Sequence, residues 1–253
     1  MEVLGNIPID LEPGKVLKRL RLRERNEHIE ETVRELLEIA RPMAKPKAVY
    51  AVCYVANRDA DSLDIGGVRF TSRVLRVNLD RIERVFPYIA TCGRELDEIA
   101  VPSADFTRSY CLDVIKEMAL RSAISYLENH LKTNYAVGQL SQMNPGSLES
   151  WPITQQRALF SVLGDVEASI GVELTESCLM IPVKSVSGIF FPTEVRFESC
   201  QLCPREVCSG RRAPYDPELA GEVPERYRLK PFILPPPGHP APIRSPQGFG
   251  VTA

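Results

Sequence analysis

The sequence predicts a protein of mixed α and β structure, because helical and strand patterns occur in separate segments along the chain. Residues 105–131 carry apolar side chains at the spacing of one face of a long amphipathic helix. Residues 48–55 are rich in types that favour β-strands, and residues 171–191 have the pattern of strand, turn and strand. We expect the long helix to be the backbone of the core.

Size and charge limit what the protein can be. The chain has 253 residues, of which 44% are hydrophobic and 25% charged, enough for one domain or one domain with a small appendage. A formal net charge of -2 favours neither nucleic acid nor an anionic membrane, so neither partner is expected. The first ten residues lack the features of a secretory signal, and no later segment resembles a membrane span, which predicts a cytoplasmic protein.

The first half of the chain reads as a helix followed by strands. Helical spacing of apolar residues runs over 14–40 and is ended by Pro42 and Pro46. Strands are predicted over four segments, 48–55, 68–70, 74–77 and 86–91. After the last strand, Gly93 begins a further helix.

The second half is organised around the long helix at 105–131, which we interpret as scaffold. A loop at 142–147 follows, and Trp151-Pro152 opens another helix, since proline suits the first helical turn. The small residues within 171–191 would let a ligand or another chain approach the backbone closely.

Cysteines near the C-terminus form the first candidate site. Cys200, Cys203 and Cys208 have spacing that suits zinc or an iron-sulfur cluster, because thiolates are soft ligands and a two-residue gap lets neighbours turn toward one ion. Three ligands are one short of a full set, so another cysteine or an open coordination position would be needed. The alternative is a loop of reduced thiols without metal.

The composition changes near this cluster, and a proline-rich stretch follows at 231–240. We therefore predict a folded domain over 1–197 and a Cys-cluster and Pro-rich extension over 198–253.

A second signal is the segment IGVELTESCLMIPVKSVSGIF at 170–190. It resembles the activation (reactivation) domain of cobalamin-dependent methionine synthase, with its threonine-glutamate-serine run and its serine-valine-serine-glycine turn. Asn144-Pro145-Gly146 and the helix from Trp151 to Phe160 fall where that family has a proline-glycine loop and its next helix. The resemblance extends over about residues 7–195 and suggests a free-standing homologue.

The resemblance implies an α+β fold, in which a twisted antiparallel sheet is flanked by helices. In the parent enzyme this domain reactivates cobalamin trapped as cob(II)alamin: it binds S-adenosylmethionine over the corrin while another protein supplies one electron. A free-standing copy would act in trans on cobalamin carried by its partner. The cofactor-binding residues implied are Asn144, Pro145, Gly146, Ser147, Glu176, Ser185, Ser187 and Gly188.

The chain departs from the family pattern at several positions. Where the family has an arginine that pairs with the carboxylate of S-adenosylmethionine and a tyrosine that ends the loop, this chain has Gln142 and Ser147. On the long helix, the family's acidic contact falls on Arg121, with Glu117 one turn earlier. A neutral amide cannot form the bidentate contact of a guanidinium. The sequence therefore leaves open whether S-adenosylmethionine binds, and the loop is equally compatible with a structural turn.

The sequence is compatible with two functions. The first is an accessory protein for corrinoid-dependent methyl transfer, which reactivates or caps a cobalamin-dependent methionine synthase or another corrinoid protein. The alternative is an iron-sulfur redox protein that delivers electrons to a corrinoid protein. No serine, histidine and acid arrangement is visible among three histidines, so a nucleophilic hydrolase is not expected and no catalytic residue is assigned. Any enzyme activity would be part of the methyltransferase reaction of methionine synthase.

Overall fold

The computed structural model describes residues 1–22, 24–194, 197–208 and 211–217. These residues form an α+β fold, in which an eight-stranded antiparallel sheet is flanked by helices. The predicted fold class is therefore confirmed. The proline-rich stretch at 231–240 lies outside the described residues. No helix within these ranges is both long and apolar enough to cross a membrane.

The elements follow one another in a regular order. The helices are α1 (Pro13–Leu20), α2 (Glu27–Met43), α3 (Arg73–Asn78), α4 (Phe106–Asn134), α5 (Gln156–Leu163) and α6 (Val166–Ile170). The strands are β1 (Glu2–Leu4), β2 (Lys47–Tyr50), β3 (Cys53–Ala56), β4 (Ser62–Ile65), β5 (Val68–Thr71), β6 (Arg84–Thr91), β7 (Gln139–Met143), β8 (Glu173–Leu174), β9 (Met180–Ile181) and β10 (Ser185–Thr193). Short 3-10 helices lie at Arg94–Glu98, Ile153–Gln155 and Ser199–Leu202.

Strand β6 is the centre of the sheet. It pairs with β2 and β3, with Val49 opposite Ile89 and Cys53 opposite Val85. It also pairs with β10, where Ser187 lies opposite Ile89, and β10 in turn pairs with β7. Strands β8 and β9 form a separate two-stranded sheet. This topology brings the end of β7 and the beginning of β10 to the same part of the sheet.

The two faces of β6 bury different cores, because successive side chains of a strand point to opposite faces. Val85 and Ile89 belong to the apolar cluster that includes residues of α5 and α6. Phe86 and Tyr88 belong to the cluster that includes the second half of α4. A third cluster joins α1 and α2 to the first half of α4. The long helix thus spans two of the three cores, which agrees with its predicted role as scaffold.

The predicted strand at 74–77 is wrong, since these residues belong to helix α3. Ser72 caps this helix: its hydroxyl oxygen accepts a hydrogen bond from the amide of Leu75 at 3.2 Å. Val74 and Leu75 bury their side chains from the helix, and a favourable cap outweighs the β preference of a short apolar run.

Two further predictions had the correct type but the wrong extent. The helix expected over 14–40 is two helices, because Arg21 ends α1 in the left-handed conformation with φ of 53° and Asn26 caps the start of α2. Pro42 lies in the last turn of α2. The strand expected over 48–55 is interrupted between β2 and β3.

Candidate functional site

A solvent-open cleft of about 470 Å³ lies between α4, the end of β7 and the beginning of β10. This volume is in the range of small-molecule sites. Helix α4 lines one wall with Glu117, Leu120, Arg121 and Ile124, which share a helical face because they are three, four and seven residues apart. The opposite side is built by loops and strand ends.

The loop after β7 forms a tight turn at the cleft. The amide of Ser147 donates to the carbonyl of Asn144 at 3.2 Å, and that of Gly146 donates to the carbonyl of Trp151 at 2.7 Å. Gly146 has a φ of 78°, and a Cβ placed there would lie 2.8 Å from Ile153 Cδ1. Only glycine adopts such a conformation without strain. The loop is therefore held in one shape beside the buried Trp151.

A polar network beneath the loop fixes it to the sheet. Asn144 Nδ2 lies 3.0 Å from the hydroxyl of Tyr88 and 2.8 Å from the carbonyl of Ser187. Gln142 Nε2 donates to the same hydroxyl and to Asn144 Oδ1. Tyr88 is buried and stacked on Phe190, with 4.6 Å between the ring centroids. Burial raises the pKa of Tyr88, which keeps the phenol neutral.

Gly188 makes room for this network without lining the cleft. A Cβ at this position would lie 2.5 Å from Asn144 Nδ2 and 2.5 Å from the carbonyl oxygen of Met143. No side chain fits there without moving the neighbouring strand. The glycine thus permits the close contact of β10 with the loop.

Two buried polar atoms at the cleft lack a partner among the residues that the structure describes. They are Ser187 Oγ and Gln156 Oε1, on side chains that belong to residues only 2% and 4% exposed. Both residues line the cleft. Because buried polar groups are almost always hydrogen-bonded, these atoms mark where a polar ligand or water would bind.

Charges on the α4 wall are paired with one another. Glu117 lies 2.5 Å from Arg19 Nη2 and 2.9 Å from Arg121 Nη2. Burial alone would raise the pKa of Glu117, but hydrogen bonds from the two guanidinium groups outweigh it and lower the pKa. Lys184 pairs with Asp113 of α4 at 2.8 Å.

Cys200, in the 3-10 helix at Ser199–Leu202, and Arg212, which follows that helix, complete the cleft. The amide of Arg212 lies 3.4 Å from Cys200 Sγ. Burial raises the pKa of Cys200, but hydrogen bonds from the backbone of Arg212 and Ala213 and from the Arg212 side chain lower it, and the net pKa is lowered. The Cys200 thiol therefore ionises more easily than an ordinary cysteine thiol.

The metal site predicted at Cys200, Cys203 and Cys208 has no counterpart in the arrangement of the described residues. Within residues 1–22, 24–194, 197–208 and 211–217, no three histidine, cysteine, aspartate or glutamate side chains come together as metal ligands. Cys208 is exposed, and the other two thiols are half-buried. A metal at this cluster stays a prediction.

The structure brings together six of the eight predicted cofactor-binding residues, which are Asn144, Pro145, Gly146, Ser147, Ser185 and Ser187. Gly188 packs behind them, and Glu176 is exposed on the turn between β8 and β9, away from the lining of the cleft. Sequence reasoning missed Tyr88 and Gln156 and did not place Arg212, beside the cysteine cluster, at this cleft. Tyr88 and Gln156 have no sequence signal of their own, because chain folding alone brings them to the cleft.

Comparisons with known proteins find a matching family model and a similar fold. Residues 145–202 match the family model of the vitamin B12 dependent methionine synthase, activation domain. The fold is similar to a crystal structure of the MetH reactivation domain bound to AdoHcy, with a TM-score of 0.54 and 16% identity, over 79% of this chain and 81% of that chain. Comparison with curated protein sequences finds no match. The resemblance seen at residues 170–190 and the activation-domain-like fold are thereby confirmed.

Proposed function

We propose that the protein is an accessory protein for corrinoid-dependent methyl transfer, which reactivates or caps a cobalamin-dependent methionine synthase and binds S-adenosylmethionine in the cleft. The observation that carries the proposal is that the segment matching the activation-domain family, 145–202, builds one side of the cleft. It contributes both the tight loop and the beginning of β10. The similar fold of the MetH reactivation domain, which was solved with AdoHcy, supports a ligand of this class.

The lining of the cleft suits a ligand with both apolar and polar parts. Leu120, Ile124 and Val186 offer apolar surface on either side. Ser187 Oγ and Gln156 Oε1 offer buried polar atoms that could orient the ligand. When bound, S-adenosylmethionine supplies a methyl group for the cobalt of the partner. The chain itself supplies position and exclusion of water, which are the contributions expected of a protein around a reactive cofactor.

An apolar rim beside the cleft suits a partner surface. Leu179, Ile181 and Val183 are 65%, 41% and 80% exposed, and they adjoin Met180 and Ser185 in the cleft wall. Exposed apolar residues beside a ligand site are typical of protein interfaces. In this proposal the corrin-bearing protein contacts this apolar rim (Leu179, Ile181 and Val183) and presents its cobalt to the cleft. The electron comes from a separate donor.

The test is a reactivation assay in trans. Methionine synthase that lacks its own activation domain is loaded with cob(II)alamin and mixed with the full chain, S-adenosylmethionine and a chemical reductant. Loss of the cob(II)alamin absorption should require both the chain and S-adenosylmethionine. Cob(II)alamin that persists at every ratio of chain to methionine synthase would contradict the proposal for this partner.

A matched pair of variants tests the apolar rim. Val183→Asp should weaken the interaction and slow the reaction, because a charge would be desolvated at the interface. Val207→Asp introduces the same change at a residue that is 86% exposed and does not line the cleft, so it should behave like the parent protein. Equal rates for the two variants would remove the rim from the docking surface.

A further inference from the structure

One arginine of the cleft lining, Arg212, lies outside the segment that matches the family model. We propose that Arg212 binds the carboxylate at the amino-acid end of the ligand. The inference rests on the proposed function and extends it, because Arg212 follows the matched segment 145–202 and yet lines the same cleft. It makes the C-terminal segment part of the binding site.

The neighbouring residue Arg211 holds this segment in place. Its guanidinium donates to the carbonyl of Cys200 at 3.1 Å and to that of Cys203 at 3.3 Å. The amide of Asp216 donates to the carbonyl of Gln201 at 2.8 Å. Arg211 therefore has a structural role on the segment, which leaves Arg212 to face the cleft.

The Arg212 side chain hydrogen-bonds Cys200 and still keeps donors available for a ligand. Its Nε lies 3.0 Å from Glu198 Oε2, which fixes the direction of the side chain. A guanidinium carries further N–H donors in a planar fork that matches a carboxylate. Its side chain is 37% exposed, so a ligand can reach it.

The other polar groups of the lining are less suited to an anion. Arg121 donates from both Nε and Nη2 to Glu117 Oε1, at 3.0 and 2.9 Å. Arg212, in contrast, contacts its carboxylate partner Glu198 through Nε. The side-chain amide of Gln142 donates to Tyr88 and to Asn144 Oδ1, so both of its N–H groups are engaged within the protein. Among the described residues that line the cleft, Arg212 is the cation best placed to take a carboxylate.

Two buried atoms point to the rest of the polar group. Gln156 Oε1 is a buried acceptor without a donor among the described residues. Ser187 Oγ is a buried hydroxyl that likewise has no partner among them. An amino-acid end carries an ammonium that can donate to such an acceptor and a carboxylate that can accept from a guanidinium. The combination of Arg212, Gln156 and Ser187 therefore favours a zwitterionic amino-acid group over a neutral ligand.

The experiment compares two probes by calorimetry on the full chain. S-adenosylmethionine carries the amino-acid end, and 5′-methylthioadenosine lacks it. Arg212→Gln should weaken binding of S-adenosylmethionine roughly 10- to 100-fold, because a charge-assisted contact is lost, and leave binding of 5′-methylthioadenosine unchanged. Arg205→Gln is the matched control: it removes the same charge from an exposed residue of the same segment outside the cleft lining, so both affinities should stay as in the parent protein.

Three results would overturn the inference: unchanged affinity of Arg212→Gln for S-adenosylmethionine, equal weakening toward both probes, or no binding of S-adenosylmethionine by the parent protein. The proposed function is judged separately by the reactivation assay. Full reactivation by Arg212→Gln at limiting S-adenosylmethionine would overturn the role of Arg212 and leave the proposed function standing. As a second readout, bound S-adenosylmethionine should slow alkylation of Cys200 in the parent protein, because Cys200 lines the same cleft.

Discussion

Replacing Gly188 by alanine should destabilise the protein and distort the cleft together. The added Cβ would lie 2.5 Å from both Asn144 Nδ2 and the carbonyl oxygen of Met143, and 2.9 Å from Tyr88 Cε1. Ordinary contact begins at 3.4 Å, so the neighbours must withdraw by about 0.9 Å. The Met143 oxygen belongs to the backbone of β7, and Met143 pairs with Ile189 of β10. The two strands must therefore separate locally.

The expected loss of stability is the sum of two free-energy costs. Overpacking in a well-packed region costs about 1–3 kcal/mol. Loss of the 2.8 Å hydrogen bond from Asn144 to the carbonyl of Ser187 adds about 1 kcal/mol. A total of roughly 2–4 kcal/mol corresponds to a fall in Tm of roughly 4–16 °C for a chain of this size. Thermal unfolding followed by circular dichroism measures the shift in Tm, and calorimetry measures the affinity of the cleft for S-adenosylmethionine.

Gly138→Ala provides the matched control. Nothing lies within 4 Å of a Cβ at Gly138, which precedes β7 and is not in the left-handed region. Its Tm should stay equal or rise slightly, since alanine reduces the entropy of the unfolded chain. A Gly188→Ala protein with the Tm of the control would refute the close packing of β10 against the loop.

Three other predictions concern charges and thiols. Glu117→Gln should lower the free energy of unfolding near neutral pH, as measured by urea unfolding. Because the folded-state pKa of Glu117 is lowered, this difference should persist above the ordinary pKa of 4.5 and vanish as the pH falls through the folded-state pKa. A difference that does not depend on pH would contradict the prediction. Cys200 should be alkylated by iodoacetamide at lower pH than Cys92, because burial raises the pKa of Cys92 to about 12; equal rates by mass spectrometry would disagree. Cys203→Ser should lower the metal content of the purified protein if the cysteine cluster holds a metal, and equal content by elemental analysis in variant and parent would remove that hypothesis.

Patterns with a short repeat were predictable from the sequence. The helix at 106–134 was found because its apolar residues recur at helical spacing over many turns. The strands β6 and β10 were found because both are runs rich in apolar residues that favour β-structure. The strand assigned to 74–77 failed because the capping hydroxyl of Ser72 decided the local structure, and apolar periodicity is ambiguous over four residues.

The sequence by itself determined the α+β class, the resemblance to the activation domain, and six residues of the cleft, because these depend on local periodicity and on one contiguous segment. Only the tertiary structure decided that Tyr88 anchors the loop, that Gln156 and Ser187 present buried atoms without partners, and that Arg212 reaches the same cleft. These residues are far apart along the chain, and each is brought to the site by strand pairing, by the packing of helix α5 or by the fold of the C-terminal segment. The spacing of residues along the chain does not predict such contacts.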